Sequence, residues 1–385
     1  MSHFREIVLK HPPKGPFIYK RMIDNIPNDI SKGDIVRVLN KNGEIFGYSF
    51  YNPSSQIIFR LITRSSNKDF DIYNYIEERI KQASKFREKF KLPSDKTNAF
   101  RLIYDFADGL CGLVVDVFND IYVCEIYSYG FYRIREEIEK IIKKIFGDVK
   151  VIFTASSYTM NMEKFRIDEN YNIKTKILEN DIIFEVYPGR GYKTGFFCDQ
   201  RENRLYLTNF VYDCDVLDLF SYTGGFGIYA KKCGAKNVVC VELDEESVKM
   251  GKRNANINNL KIDFVLADAF SYIRQMISNK KTYDIIILDP NKFINSRERK
   301  EEGIKKYIDI NSLALNLVKR NGILVTCSCS GLLSMDEFVG IVRKASSISK
   351  RIVKVFKKSY AGVDHPFMVN WSEAEYLKVL WCSVE

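Results

Sequence analysis

The stretch VLDLFSYTGGFGIYA, residues 216–230, joins an apolar strand to a glycine-rich turn and then to the start of a helix. Gly224, Gly225 and Gly227 would let the backbone in this turn approach a ligand closely. Open α/β sheets bind their ligands at the carboxyl ends of the strands, which is where such a turn lies. The stretch therefore predicts a ligand-binding α/β sheet in the C-terminal half of the chain.

Strands alternate with helical stretches on both sides of this turn, from about residue 181 onward. The other predicted strands, in chain order, are NVVCVEL, IDFVLA, DIIILDP and GILVTCS. Alternation of this kind predicts a parallel sheet with helices on both faces. We assign residues 181–385 to one Rossmann-like α/β domain.

The N-terminal part has a different pattern. Short alternating runs at 34–40 and 56–63, with the glycine- and aromatic-rich run IFGYSFYN between them, predict a small all-β barrel over residues 1–68. Residues 69–180 begin with an amphipathic helix, which is followed by the strands LIYDF, GLVVDVF and IYVCEIY, a helix at about 131–146 and a strand near 149–154. This order predicts a small α+β middle domain.

Length and composition agree with a multidomain globular protein. The 385 residues exceed one ordinary core, and the formal net charge of +10 favours attraction to polyanions, although a solvated basic surface explains it equally well. Polar, proline-broken N-terminal residues and the lack of a long apolar run predict a cytoplasmic protein without membrane contact. Nine scattered cysteines predict reduced thiols, and the spacing of Cys327 and Cys329, without further ligands nearby, predicts no metal site.

Four acidic residues stand at successive strand ends, namely Asp218, Glu242, Asp268 and Asp289. This ordered set is typical of a sheet that binds S-adenosylmethionine, with Glu242 placed to accept hydrogen bonds from both ribose hydroxyls. A dinucleotide cofactor is an alternative, although the third glycine does not fit G-x-G-x-x-G. A second alternative is that all four acids only cap helices.

Motifs from all three parts of the chain carry a family resemblance. They are GDIVRVLN, FYNPSSQIIFRL, ADGLCGLVVD, KTGFFCDQRENR (193–204), LDLFSYTGGFG, DPNKF and CSCSG. With these motifs the chain resembles the RlmI-like family of large-subunit ribosomal RNA methyltransferases over nearly its whole length. The long motif at 193–204, followed by the glycine loop, is the most specific of them.

The resemblance implies a PUA fold for residues 1–68, which would bind structured RNA, and a class I methyltransferase fold after the middle domain. It implies S-adenosylmethionine as cofactor, ribosomal RNA as partner, and methylation of carbon 5 of a cytosine. The implied cofactor-binding residues are Asp218, Ser221, Gly224, Glu242 and Asp268, with Gln200, Arg201 and Arg204 at the entrance to the pocket.

The resemblance also makes Cys329 the nucleophile. Carbon 5 of cytosine is a poor nucleophile until a thiolate adds to carbon 6, so the reaction requires a cysteine. Cys329 lies just past the strand GILVTCS, at the edge where the cofactor's methyl group is expected. Cys327 would face the same side of an ideal strand and is the alternative nucleophile. A third interpretation makes both cysteines buried core residues.

The motif DPNKF supplies the remaining candidates. Asp289 would stabilise the protonated base, Lys292 would contact phosphate and Phe293 would stack on a base, whereas the alternatives are a capping aspartate and a core phenylalanine. The family usually reads DPPKF, and Asn291 replaces the second proline here, which would loosen the loop facing the base.

The sequence therefore leaves three functions open. The first is cytosine carbon-5 methylation through Cys329, the second is methylation of a guanine ring nitrogen, and the third is an inactive RNA-binding assembly factor. The sequence also leaves homodimer formation open. The charged stretch SRERKEEGIKK (296–306) is interpreted as a solvated helix face outside the site.

Overall fold

The structure is a computed structural model that describes residues 4–167, 171–189, 194–369 and 375–385. Its contacts divide the chain into two compact units. The first unit consists of residues 1–178, 186–198 and 363–372, and the second of residues 179–185, 199–362 and 373–385.

The first unit begins with a five-stranded sheet. Its strands are β1 (Arg5–Val8), β2 (Phe17–Ile18), β3 (Ile35–Leu39), β4 (Ile45–Tyr51) and β5 (Phe59–Thr63). They lie in the order β1-β3-β4-β5-β2, with β1 parallel to β3 and the other pairs antiparallel. Strand β4 needs glycine at position 47, because a Cβ there would lie 2.0 Å from the carbonyl oxygen of Thr63 on β5.

A mixed α/β part follows in the same unit. Its elements are α1 (Ile72–Glu88), β6 (Ala99–Tyr104), β7 (Leu113–Phe118), β8 (Ile121–Ile126), α2 (Tyr129–Arg133), α3 (Arg135–Phe146), β9 (Lys150–Thr154) and α4 (Ser157–Glu163). The four strands form the sheet β6-β7-β8-β9, in which only β8 and β9 are parallel. The helix expected at about 131–146 is therefore two helices, which meet at Ile134.

One hydrophobic core joins these two parts of the first unit. It contains Tyr48 and Phe50 from β4 together with Ile76 from α1 and Phe131 from α2. The predicted boundary at residue 68 thus falls between an all-β part and an α/β part that share one hydrophobic core. The three-domain organisation remains a prediction.

A two-stranded sheet of β10 (Thr175–Glu179) and β11 (Ile182–Val186) precedes the main sheet. The helices of the second unit are α5 (Arg201–Leu207), α6 (Gly225–Lys232), α7 (Glu245–Ile257), α8 (Ala269–Ser278), α9 (Lys300–Leu315) and α10 (Met335–Ser349). Its strands are β12 (Asp215–Leu219), β13 (Asn237–Glu242), β14 (Asp263–Leu266), β15 (Tyr283–Leu288), β16 (Val318–Ser328), β17 (Val353–Ser359) and β18 (Lys378–Val384).

The seven strands form one sheet in the order β14-β13-β12-β15-β16-β18-β17. The first five are parallel, which confirms the predicted alternation, whereas β18 runs antiparallel to both of its neighbours. Strands β17 and β18 are not among the strands predicted from the sequence. Strand β17 has mostly charged or half-exposed positions and shows no apolar run.

Successive residues of the central strands enter two different cores. Val216 and Ile285 pack with α5 and α6 on one face, whereas Leu217 and Ile286 pack with α8, α9 and α10 on the other. This alternation is the physical reason that the strands are apolar at nearly every position. Within the described residues, no helix is both long enough and apolar enough to cross a membrane.

Candidate active site

The strand register brings the four predicted acids to one edge of the sheet. Asp218 on β12 lies beside Cys240 of β13 and Ile287 of β15. Glu242 lies two residues after Cys240, and Asp289 lies two residues after Ile287. Both acids are therefore nearer than Asp218 to the carboxyl edge of the sheet. Glu242 in turn pairs with Leu266 of β14, and Asp268 lies two residues beyond it.

The loop between β12 and α6 has an unusual backbone. Phe220, Tyr222 and Gly224 have φ values of +61°, +48° and +80°, which only glycine adopts without strain. Hydrogen bonds fix this shape, because the Ser221 N–H donates to Val241 O at 3.1 Å and the Tyr222 N–H donates to the Glu242 carboxylate at 2.8 Å. Strained residues held in this way are characteristic of ligand-binding loops.

Asp218 lies under this loop and is almost fully buried. Its Oδ2 accepts the Gly227 N–H at 2.9 Å, while Oδ1 is buried and has no hydrogen-bond partner among the residues that the structure describes. Burial raises the pKa of Asp218 to about 8, and the nearby carboxylates of Asp289 and Glu242 add to the effect. Gly227 permits this contact, because a Cβ there would lie 2.3 Å from the Cys240 sulfur.

The residues at this edge fit S-adenosylmethionine. Asp218 Oδ1 and the buried Ser221 hydroxyl both have unused hydrogen-bonding capacity, which is expected where a polar ligand completes a site. Glu242 accepts hydrogen bonds from the N–H groups of Tyr222, Leu243 and Asp244, so its carboxylate is held rigidly at the strand end. These groups would hold the cofactor's polar atoms, with Glu242 facing the ribose.

Asp268 also caps a helix. It is the N-cap residue of α8, and its Oδ1 accepts hydrogen bonds from the N–H and the hydroxyl of Ser271, both at 2.9 Å. The structure therefore gives Asp268 the structural role considered as an alternative, while its exposed position at the sheet edge still suits a ligand contact. Its assignment to cofactor binding stays a prediction.

We expect Asp218→Asn to change how stability depends on pH. An unfolded aspartate titrates near 3.9, and the folded pKa is about 8, so between these values the folded state holds the extra proton. The free energy of unfolding of the wild type should therefore fall as pH rises through this window. Asparagine does not titrate, so the variant should gain stability relative to the wild type between about pH 5 and about pH 8. Urea unfolding without cofactor at both pH values measures this, and an equal difference at the two values would contradict it.

The predicted entrance residues lie at the start of α5. Gln200 is buried, and its amide donates to Asp289 Oδ2 at 3.0 Å and accepts from Asn203 at 2.7 Å. Arg204 forms a bidentate ion pair with the fully buried Glu179, with both N–O distances 2.7 Å. Gln200 thus positions a candidate catalytic acid, whereas the described contacts of Arg204 are structural. Lys193, the first residue of the motif at 193–204, lies outside the described residues.

Arg204 also supports the glycine loop. A Cβ on Gly225 would lie 3.2 Å from the Cδ of Arg204, so this side chain packs against the first turn of α6. The Tyr229 hydroxyl, on the same helix, donates to Glu179 Oε1 at 3.0 Å. The Glu179–Arg204 ion pair therefore supports the predicted cofactor loop from below.

The two candidate nucleophiles differ in exposure. Cys327 is fully buried in a hydrophobic core, and burial, with Asp289 next in effect, raises the pKa of its thiol well above the ordinary value. Cys329 is half-buried and lies one residue beyond β16, with its sulfur 3.8 Å from the carbonyl oxygen of Pro290. Only Cys329 combines access to solvent with a position beside the strand end that carries Asp289.

The rest of the DPNKF motif divides between surface and core. Asn291 and Lys292 are exposed, so both can contact a substrate. The Phe293 ring packs 4.8 Å from the ring of Tyr307, measured between centroids, and 6.3 Å from the ring of Phe220. Phe293 is half-buried and packs below the loop, as the alternative for it expected, and its stacking on a base stays a prediction.

Two further residues were not predicted. The buried hydroxyl of Tyr307, on α9, lies 3.0 Å from Ser328 Oγ and 3.1 Å from Ser330 Oγ, so it holds both neighbours of Cys329. Lys378 is also buried and donates to the Ser330 carbonyl at 2.6 Å. The only sequence signal for Lys378 was its place as a lysine inside the apolar run YLKVLWCSV. Tyr307 follows a charged stretch, and no sequence signal marked it.

Known protein families match both halves of the chain. A family described as S-adenosylmethionine-dependent methyltransferase matches residues 165–350, and one described as PUA-like domain matches residues 14–64. A curated protein named Ribosomal RNA large subunit methyltransferase I, from Pseudoalteromonas atlantica, is 33% identical over 379 residues, which cover 96% of this chain and 95% of the relative.

Solved structures agree over the full length. A candidate SAM-dependent methyltransferase from Streptococcus mutans has a TM-score of 0.82 at 22% identity, covering 99% of this chain and 100% of the other. A candidate methyltransferase solved in complex with SAH has a TM-score of 0.81 at 23% identity, covering 98% and 99% of the two chains. At such identities the likeness concerns the fold. The predicted fold class, a PUA-like domain and a C-terminal methyltransferase fold, is confirmed.

Proposed function

The chain belongs to the Ribosomal RNA large subunit methyltransferase I family of S-adenosylmethionine-dependent enzymes, and we propose that it methylates carbon 5 of a cytosine in large-subunit ribosomal RNA. Family membership confirms the predicted enzyme class and cofactor. The methylated atom, the covalent route and the roles of individual residues are the parts that we propose.

The exposure and position of Cys329 are the observation that carries this proposal. Carbon 5 chemistry requires a thiolate that can reach the base, and Cys329 is half-buried next to Pro290, at the end of the strand beside the one that leads to Asp289. A guanine ring nitrogen has its own lone pair and needs no thiol. An accessible cysteine at this strand end therefore favours cytosine.

The proposed reaction uses two side chains in sequence. The Cys329 sulfur forms a bond to carbon 6, and the electron pair of the carbon 5–carbon 6 double bond moves so that carbon 5 becomes nucleophilic. Asp289 holds a proton at the ring nitrogen and stabilises the adduct. The bound cofactor supplies an electrophilic methyl group on a sulfonium. After transfer, loss of the carbon 5 proton to a base lets the bond to Cys329 break, which restores the double bond and frees the thiolate.

Other residues hold Cys329 and Asp289 in place or bind the cofactor and the RNA. Gln200 donates to Asp289 and so orients its carboxylate toward the base. Tyr307 holds Ser328 and Ser330, which fixes the backbone on both sides of Cys329. Asp218, Ser221, Gly224 and Glu242 would bind the cofactor, and exposed Lys292 would contact a phosphate of the RNA.

The setting of the reaction is also part of the proposal. We place the protein in the cytoplasm, where its ribosomal RNA substrate is found, with the PUA-like region docking structured RNA. The division into domains at residues 68 and 180 and the formation of a homodimer remain predictions. Light scattering with limited proteolysis tests both.

Nucleoside analysis tests the proposed product. Large-subunit ribosomal RNA lacking the modification is incubated with the enzyme and methyl-labelled cofactor, then digested and analysed by mass spectrometry. We expect label in 5-methylcytidine, with small-subunit RNA as the matched control that stays unlabelled. Label in a methylguanosine would exclude the covalent route, and cofactor binding without any label would favour the RNA-binding assembly role.

A further inference from the structure

Lys378 is a buried basic residue that the proposed reaction has not yet used. It is the first residue of β18, lies opposite Ser328 of β16, and is only 1% exposed. Its Nζ donates to the carbonyl oxygens of Ser330 at 2.6 Å and Tyr376 at 2.7 Å. Because Ser330 directly follows Cys329 in the chain, these contacts place the amine at the turn that carries Cys329.

A lysine is seldom buried unless its charge is compensated. The two acceptors that the structure gives Lys378 are neutral carbonyl oxygens, and an ammonium group has three donors. Within the described part of the chain, a third N–H therefore remains for another acceptor. A thiolate at Cys329 would provide both that acceptor and the missing negative charge.

The electrostatic surroundings agree with this pairing. Burial lowers the pKa of Lys378 to about 8, and among its neighbours an ionised Cys329 would oppose this effect most strongly. Glu375 and Glu337 also favour the charged amine, whereas Lys292 disfavours it. An amine that titrates close to neutral pH can exchange a proton with a thiol, since free cysteine titrates near 8.5.

We propose that Lys378 is the positioning residue that keeps Cys329 in its thiolate form. This inference rests on the proposed role of Cys329 as nucleophile. The neutral amine of Lys378 accepts the Cys329 proton: the S–H bond breaks, an N–H bond forms, and the electron pair stays on sulfur. The product is an ammonium–thiolate pair with no change in net charge, so a buried site can hold it.

The test is the pH dependence of Cys329 alkylation without RNA or cofactor. Iodoacetamide reacts with the thiolate, and peptide mass spectrometry separates Cys329 from the other eight cysteines. In the wild type we expect an apparent pKa for Cys329 below the ordinary value. In Lys378→Met, which has a similar length and no charge, we expect alkylation at about pH 7 to fall roughly tenfold as that pKa rises.

Lys358→Met is the matched control, because Lys358 is an exposed lysine on β17, the strand next to β18. We expect it to leave the alkylation profile unchanged. An unchanged profile in Lys378→Met would overturn the proposal. If that variant does not fold, the wild type alone decides, because a Cys329 that titrates at or above the ordinary value would also overturn it.

The alkylation profile and the nucleoside analysis together distinguish this inference from the proposed function. Alkylation reports the state of Cys329 whichever base is methylated. Label on cytosine together with an unchanged profile in Lys378→Met would reject the role of Lys378 alone. Label on guanine would reject the covalent route, whatever the profile.

Discussion

Replacing Cys329 with alanine is expected to reduce methyl transfer to ribosomal RNA by roughly 10³-fold or more, because carbon 5 of cytosine then lacks the thiolate that activates it. Binding of S-adenosylmethionine should be nearly unchanged, since the predicted cofactor residues lie on β12, in the loop after it, on β13, in the turn after β14 and at the start of α5, and none lies on β16. Initial rates of label incorporation measure the first effect, and calorimetry measures the second.

Cys327→Ala is the matched control, since it removes the thiol of the other candidate cysteine, two residues before Cys329 in the chain. Cys327 is fully buried and packs in a hydrophobic core, so its loss should cost stability by about 1 kcal/mol while most of the activity remains. If only Cys327→Ala lost activity, Cys327 would be the nucleophile and Cys329 would not. Full activity in both variants would remove the covalent route.

Replacing Arg204 with methionine is expected to lower the free energy of unfolding by about 3–5 kcal/mol. Glu179 is fully buried and its carboxylate is paired with Arg204, so the substitution would leave an uncompensated buried charge. Tyr229 would remain as a donor to Glu179, but a neutral hydroxyl does not replace a guanidinium. Denaturant unfolding of the cofactor-free protein, followed by circular dichroism, measures the change.

The double variant Glu179→Leu with Arg204→Met serves as the control for this prediction. It removes both charges, so we expect most of the lost stability to return. Lys249→Met breaks exposed ion pairs with Glu245 and Glu246 and should change stability by less than about 1 kcal/mol. If Arg204 acted only on the cofactor, Arg204→Met would weaken cofactor binding and leave the unfolding curve where it was.

Short-range patterns account for the parts of the fold that were predicted correctly. The apolar strands β12, β13, β15 and β16 have helices on both faces, so their sequences are apolar at nearly every position and are easy to recognise. The same signal is absent from β17, which lies at the edge of the sheet and whose positions are all exposed or half-exposed. The break between α2 and α3 was missed because Ile134 fits the helical apolar pattern.

The sequence by itself determined the fold class, and it predicted the edge at which the cofactor would bind and the two cysteines from which the nucleophile would be chosen. Each depends on residues close together in the chain: a strand, the turn after it and the acid at its end. A parallel sheet brings all such strand ends to one edge, so their order along the chain was sufficient to place them together.

Only the tertiary structure separated the two cysteines and found their neighbours. Burial of Cys327 depends on α5 and α6 covering that face of the sheet, and Lys378 reaches Ser330 only through the antiparallel register of β16 and β18. The ion pair that turns Arg204 away from a purely ligand-binding role also joins residues 25 positions apart. Contacts of this kind depend on how whole elements pack, and a change of register by one residue would turn Lys378 to the opposite face of its strand.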